Sequence, residues 1–225
     1  MSNNKFLLLY FVLIASMICS GLAAQVPVRE EPHHKVVLEN PYIRLIDVHI
    51  GANDTTATHI HELPSVIVFL SKSTIGTQIV GDKPVIREVL PGQSDYAAYD
   101  EKKVIHKVWN QGRSIYHVMD IELLKKPAGK DSCQGLNQPG INLQIQKPQV
   151  KVYKMEIPKG VPYKLSKSDC AYLLVSISGI ITTAVGGSVK TIQSGGYVYF
   201  PPGSNIQIGV TNSDNVSCII LELRS

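Results

Sequence analysis

A pattern that returns after roughly a hundred residues constrains this chain more than any other feature. Asn40-Pro41-Tyr42-Ile43-Arg44-Leu45 corresponds to Lys147-Pro148-Gln149-Val150-Lys151-Val152, and the apolar run Val66–Leu70 to Tyr172–Val175. Pro91-Gly92 matches Gly195-Gly196, His106–Asn110 matches Ile208–Asn212, and Ile121–Leu123 matches Leu221–Leu223. Two copies of one unit follow. The first reads as short strands between turn residues: His34–Leu38, Tyr42–Ile50, Val66–Leu70, Thr77–Val80, Val85–Leu90, Val104–Trp109 and Ile115–Leu124. Turns fall at Gly51–Asp54, Gly81–Pro84 and Pro91-Gly92, and no stretch has a helical period. Short strands so closely punctuated build a sandwich or a barrel. The fold class is all-β.

The ends and the middle differ from this pattern. Lys5, the apolar run Phe6–Ile18 and the small residues Ser20–Ala24 have the order of a secretory signal peptide, so residues 1–24 are expected to be removed. The apolar run is shorter than the ~20 residues that span a bilayer. The expected location is periplasmic or secreted, with no membrane attachment after cleavage. Residues 125–140 carry no apolar period and read as a linker between a first unit, 25–124, and a second, 141–225.

Charge excludes some partners. The chain has 22 basic and 18 acidic residues, and removing Lys5 leaves 21 basic ones, scattered rather than clustered. No basic patch interleaved with aromatics exists, so nucleic acid is not an expected partner. Beyond the leader the chain keeps Cys133, Cys170 and Cys218, an odd number that leaves at least one thiol unpaired within a monomer. Cys170 and Cys218 border apolar runs and read as small buried side chains.

The chemistry concentrates in the first unit. In Thr58-His59-Ile60-His61-Glu62 two histidines one residue apart lead into an apolar strand, so their imidazoles share a face. His106 follows within Val104–Asn110. Three neutral imidazoles make a metal shell with open positions. Among the rest, His33 and His34 follow Pro32 on a strand expected to be solvated, and His49, in phase with Asp47, is placed at a rim. His117 reads as a core or edge histidine. Tyr96 and Tyr99 are within reach of a barrel mouth, and Trp109 is out of phase with His106 and reads as packing.

His-x-His before a strand, a Pro-Gly turn at Pro91-Gly92, and His106-x-x-x-Asn110 together resemble the two motifs of the cupin superfamily. The resemblance implies two tandem cupin-type (jelly-roll) β-barrels, with His59, His61 and His106 as ligands of a divalent metal: iron, manganese, zinc or nickel. The chain departs from the family in two places. The family's glutamate ligand would fall at Ser65 or Val66, and Glu62 points away from the histidines. The Pro-x-Gly expected just before His106 is replaced by Asp100–Lys103, while Phe200-Pro201-Pro202-Gly203 supplies such a turn in the second unit. That unit has no histidine. Positions equivalent to His59 and His61 are expected within Leu165–Ser168 and the equivalent of His106 at Ile208, so it reads as a degenerate barrel that packs against the first.

Two functions fit. One is a metal-dependent enzyme, dioxygenase-like in chemistry, acting on a small molecule. The other is a non-catalytic module, either capturing a small ligand or purely structural. A general acid or base facing the metal separates them, and none is visible in phase with the histidines. Catalytic residues are unassigned, and a homodimer is left open.

Overall fold

The computed structural model describes residues 25–126, 133, 135–160, 162–165, 169–185, 187–210 and 216–224. The leader assigned to residues 1–24 lies outside the described residues, as does much of the linker. The first half begins with β1 (Val26–Pro27) and a 3-10 turn at Val28–Glu30, followed by β2 (His34–Glu39), β3 (Ile43–Ile50), β4 (His59–His61) and β5 (Ser65–Phe69). It continues with β6 (Ser73–Ile79), β7 (Val85–Val89), β8 (Ser94–Ala97), β9 (Val104–Asn110) and β10 (Tyr116–Leu123). The second half comprises β11 (Ile141–Gln146), β12 (Val150–Ile157), β13 (Tyr163–Leu165), β14 (Ala171–Ser178), β15 (Ile181–Val185), β16 (Ser188–Ile192), β17 (Tyr197–Phe200), β18 (Ile206–Val210) and β19 (Val216–Leu223). No α-helix occurs among the described residues.

Four sheets result, two per half. Their orders are β1-β4-β9-β6-β7 and β2-β3-β10-β5-β8, then β11-β12-β19-β14-β17 and β13-β18-β15-β16. The middle two sheets pack on each other through one apolar core. Ile43, Leu45, Val66, Val68, Met119 and Ile121 of the first half meet Val150, Val152, Leu173, Val175, Ile219 and Leu221 of the second. The alternate residues of the same strands face inward, Ile46, Val48, Ile50 and Phe69 into the first barrel and Met155, Leu174 and Ile220 into the second. This double burial is why Val66–Phe69 and Tyr172–Val175 are unbroken apolar runs, where a sheet wetted on one face would alternate.

The expected strands of the first half are present with shifted ends, and β1, β4 and β8 were not anticipated. The repeat needs two corrections of register. Gly92 N donates to Phe69 O and Gly195 N to Ser176 O, so Gly92 corresponds to Gly195 and not to Gly196. Both glycines have positive φ, 80° and 79°, which a side chain rarely adopts. His59 pairs with His106, while Tyr163 pairs with Ile208 and Leu165 with Ile206. The second-half equivalents of His59 and His61 are therefore Tyr163 and Leu165, of which only Leu165 falls within the expected Leu165–Ser168. The connection from β13 to β14 is two residues longer than that from β4 to β5, which sequence matching does not show.

Cys133 and Cys170 form a disulfide with Cα atoms 5.9 Å apart, and Cys218 is free and buried. Cys170 is thus bonded, not merely a small core residue.

Candidate metal centre

β4 and β9 are neighbours, and their register places His59 directly opposite His106. His61 lies two residues along β4, on the same face. One nitrogen from each of the three rings lies within 4.8 Å of the others. The Nε2 atoms of His59 and His106 are 3.0 Å apart, and the ring of His61 stands 5.0 and 4.9 Å, centroid to centroid, from those of His59 and His106. All three are buried, His59 to 1 % exposure. The residues named from sequence do come together.

Their state suits metal binding. His59 Nδ1 donates to Ala57 O at 2.9 Å, which leaves its Nε2 lone pair facing the cluster. Burial, with the neighbouring imidazoles adding to it, pushes His61 down to about 2 and His106 down to about 3; burial also lowers His59. Three neutral imidazoles offering lone pairs to one point make a nitrogen donor set that fits a divalent ion of the iron–zinc series. His59, His61 and His106 would hold it.

The cluster lines a cavity of about 230 Å³ between the two sheets of the first barrel. Most of its wall is apolar, including Val48, Ile50, Phe69, Ile75 and Val108, with Tyr99 and Tyr116 supplying aromatic area. Tyr99 packs on His61, ring centroids 4.6 Å apart, as the sequence allowed. Tyr96 instead packs against the core between the barrels, under Lys147.

Three residues of the site escaped the sequence reading. His34 is not solvated: its side chain is 6 % exposed, lines the cavity and meets His59 edge-on. Its Nδ1 donates to Val28 O at 2.8 Å, and burial together with His59 lowers it to about 4. Asp120 also lines the cavity, its Oδ2 3.5 Å from His61 Nδ1. Burial and, less strongly, the nearby Glu122 raise its carboxyl to about 7, with a partial offset from Ser65. A carboxylate inside the apolar run Val118-Met119-Asp120-Ile121, in phase with Tyr116 and Val118, was the available signal.

The third is Glu31. It is buried, accepts from His33 N at 2.7 Å and Ala57 N at 3.0 Å, and pairs with His33 Nδ1 at 2.9 Å. Burial opposes its charge, but these bonds outweigh it and hold the carboxyl below its ordinary value. It thereby fixes the segment that delivers His59. His33 bridges Glu31 and Asp54, points away from the cluster and is raised chiefly by the Glu31 bond.

The departures noted in sequence hold in space. Glu62 is exposed and paired with Lys103, and Ser65 is buried with its hydroxyl donating to Leu63 O. Asn110 anchors backbone: Nδ2 donates to Ile50 O, Gly51 O and Ser114 O, while Oδ1 accepts from Ser73 Oγ and Gly112 N. In the second barrel Tyr163, Leu165, Ile208 and Ile220 occupy the places of His59, His61, His106 and Asp120 and fill the space with apolar core.

No family model and no curated protein matches the sequence. Solved structures do match. The cupin 2 conserved barrel domain protein from Leptotrichia buccalis aligns over 90 % of this chain and 93 % of its own, with TM-score 0.58 and 11 % identity. This chain has the two-barrel cupin fold. AerE from Microcystis aeruginosa aligns over 87 % and 99 %, with TM-score 0.63 and 14 % identity. A point mutant of salicylate 1,2-dioxygenase from Pseudoaminobacter salicylatoxidans aligns over 95 % and 81 %, with TM-score 0.60 and 10 % identity.

Proposed function

We propose that the first barrel binds one divalent metal on His59, His61 and His106 and is a metal-dependent enzyme, dioxygenase-like in chemistry, acting on a small molecule. The observation that carries this reading is the convergence of three buried, neutral imidazoles on the wall of a cavity. A metal bound there would supply Lewis acidity and, if it were iron, oxygen chemistry. The chain's own residues supply the rest. Asp120, against His61, can orient that ring and hold a proton near neutral pH, and His34 adds a neutral imidazole to the cavity wall. Asp120 is an acid–base group of the kind that no residue in phase with the histidines offered, which favours the enzyme reading. The likeness in fold to a protein named as a dioxygenase agrees with it.

The cavity selects by size and polarity. At about 230 Å³ it holds a molecule of about one ring, against largely apolar walls. Export remains part of the proposal, supported by the Cys133–Cys170 disulfide, which persists in oxidising compartments.

Metal-stripped protein loaded in turn with Fe(II), Mn(II), Zn(II) and Ni(II) tests the site. His106→Ala is expected to lose the ion that wild type holds there, and His33→Ala to keep it. Oxygen uptake by the Fe(II) form is then followed over a panel of single-ring phenols and hydroxy acids. Equal metal content in wild type and His106→Ala would remove the metal reading, and metal without turnover would return the barrel to a binding role.

A further inference from the structure

A second set of ligand-type side chains lies on the opposite face of the sheet that backs the cavity. Asp47 and His49 are two residues apart on β3 and share a face. His117, on β10, is the direct cross-strand partner of His49. That face carries Ile43, Leu45, Met119 and Ile121 into the core between the barrels, and the three polar residues continue it past the core's end. The second barrel borders them: a Cβ on Gly195 would come 3.0 Å from His117 Cε1.

The three groups are close and unevenly satisfied. His117 Nε2 is 2.7 Å from Asp47 Oδ1, within hydrogen-bond range. His49 Nδ1 is 3.6 Å from the same oxygen, beyond it. The two imidazoles stack, with centroids 4.0 Å apart and planes 22° from parallel. One donor atom from each residue lies within 4.8 Å of the others. A single carboxylate oxygen facing two stacked imidazoles pairs fully with only one of them. A divalent cation satisfies all three.

We propose that Asp47, His49 and His117 form a second metal site, for a borderline divalent cation such as zinc, nickel or copper, at the seam between the two barrels. Two imidazole nitrogens and a carboxylate oxygen are donors suited to these ions, with water completing the shell. Ligand atoms of one tetrahedral zinc stand roughly 3.3 Å apart, given Zn–N lengths of ~2.0–2.1 Å. Small rotations of side chains at an open rim reach that spacing; the His49 side chain is 49 % exposed. The cation takes the place of the hydrogen between His117 Nε2 and Asp47 Oδ1, and His117 then carries its ring proton on Nδ1. The site draws on none of the cavity histidines.

Zinc binding to untagged, metal-stripped protein at pH 7.5, by calorimetry with elemental analysis, tests this. Wild type is expected to bind two ions, His49→Ala one, His106→Ala one, and the double variant none. Asp47→Asn, which keeps its shape, is expected to match His49→Ala, and native circular dichroism checks the fold of each. One ion in wild type, lost in His106→Ala and kept in His49→Ala, would overturn the second site. So would two ions in His49→Ala, or loss of both from it with the fold intact. One ion lost in His49→Ala and kept in His106→Ala would uphold this site while removing the cavity site.

Discussion

Asp120 has a pH signature of its own. Its carboxyl stands at about 7 in the folded chain, raised from an ordinary 3.8 chiefly by burial. Across that window the folded state holds a proton that the unfolded chain has released, so this group lowers stability as pH rises from about 4 to 7. Asn keeps the shape and cannot ionise. In metal-free protein Asp120→Asn is therefore expected to melt higher than wild type at pH 8 and to converge with it at pH 4. The gap has an upper bound of roughly 4 kcal/mol, from about three pKa units at 1.36 kcal/mol each. His61 and His106 act in the opposite sense: depressed to about 2 and 3, they destabilise the fold as pH falls below their ordinary 6.5. Both proteins share that acid limb, so it cancels in the difference. Parallel melting curves across pH 4–8 would mean that Asp120 is solvated.

At the scale of elements, β9 carries His106, and its neighbours fix its path. It lies between β4, which aligns His59 with His106, and β6, where Gly76 faces Trp109. A Cβ at Gly76 would come 1.9 Å from Trp109 Cε2, so the indole lies over bare backbone. Gly76→Ala must push aside the chain's only tryptophan. Overpacking of this kind costs about 1–3 kcal/mol. At ~2–4 °C per kcal/mol for a chain of this size, the melting point should fall by several degrees. Tryptophan emission should change with it. Unchanged emission with an unchanged melting point would show that the ring swings aside freely. Trp109 reads as packing in sequence and is packing here, but its partner is a glycine, and glycine leaves no apolar signal to match.

For the whole molecule, the buried faces of the two middle sheets join the barrels through one core, and the disulfide ties Cys133 to the second of them. A thiol count tests both the pairing and the leader. Alkylation in denaturant without reductant should label Cys218 alone in mature protein, and all three cysteines after reduction. Retention of the leader would add Cys19 to each count. Labelling of Cys133 or Cys170 without reductant would mean that the bridge does not form.

By itself the sequence determined the all-β class, the repeat and the three histidines. Strand periodicity and a His-x-His step are local properties, fixed by backbone geometry within a few residues. The register that sets His59 opposite His106, and Tyr163 opposite Ile208, was decided only by the tertiary structure, because pairing across β4 and β9 joins segments more than forty residues apart. The same holds for Asp120, His34 and Glu31. Each looked like an ordinary polar residue near a strand until burial removed its water and left the histidine cluster as its surroundings. The pairing of His49 with His117 likewise belongs to the fold, since a cross-strand neighbour has no mark in sequence.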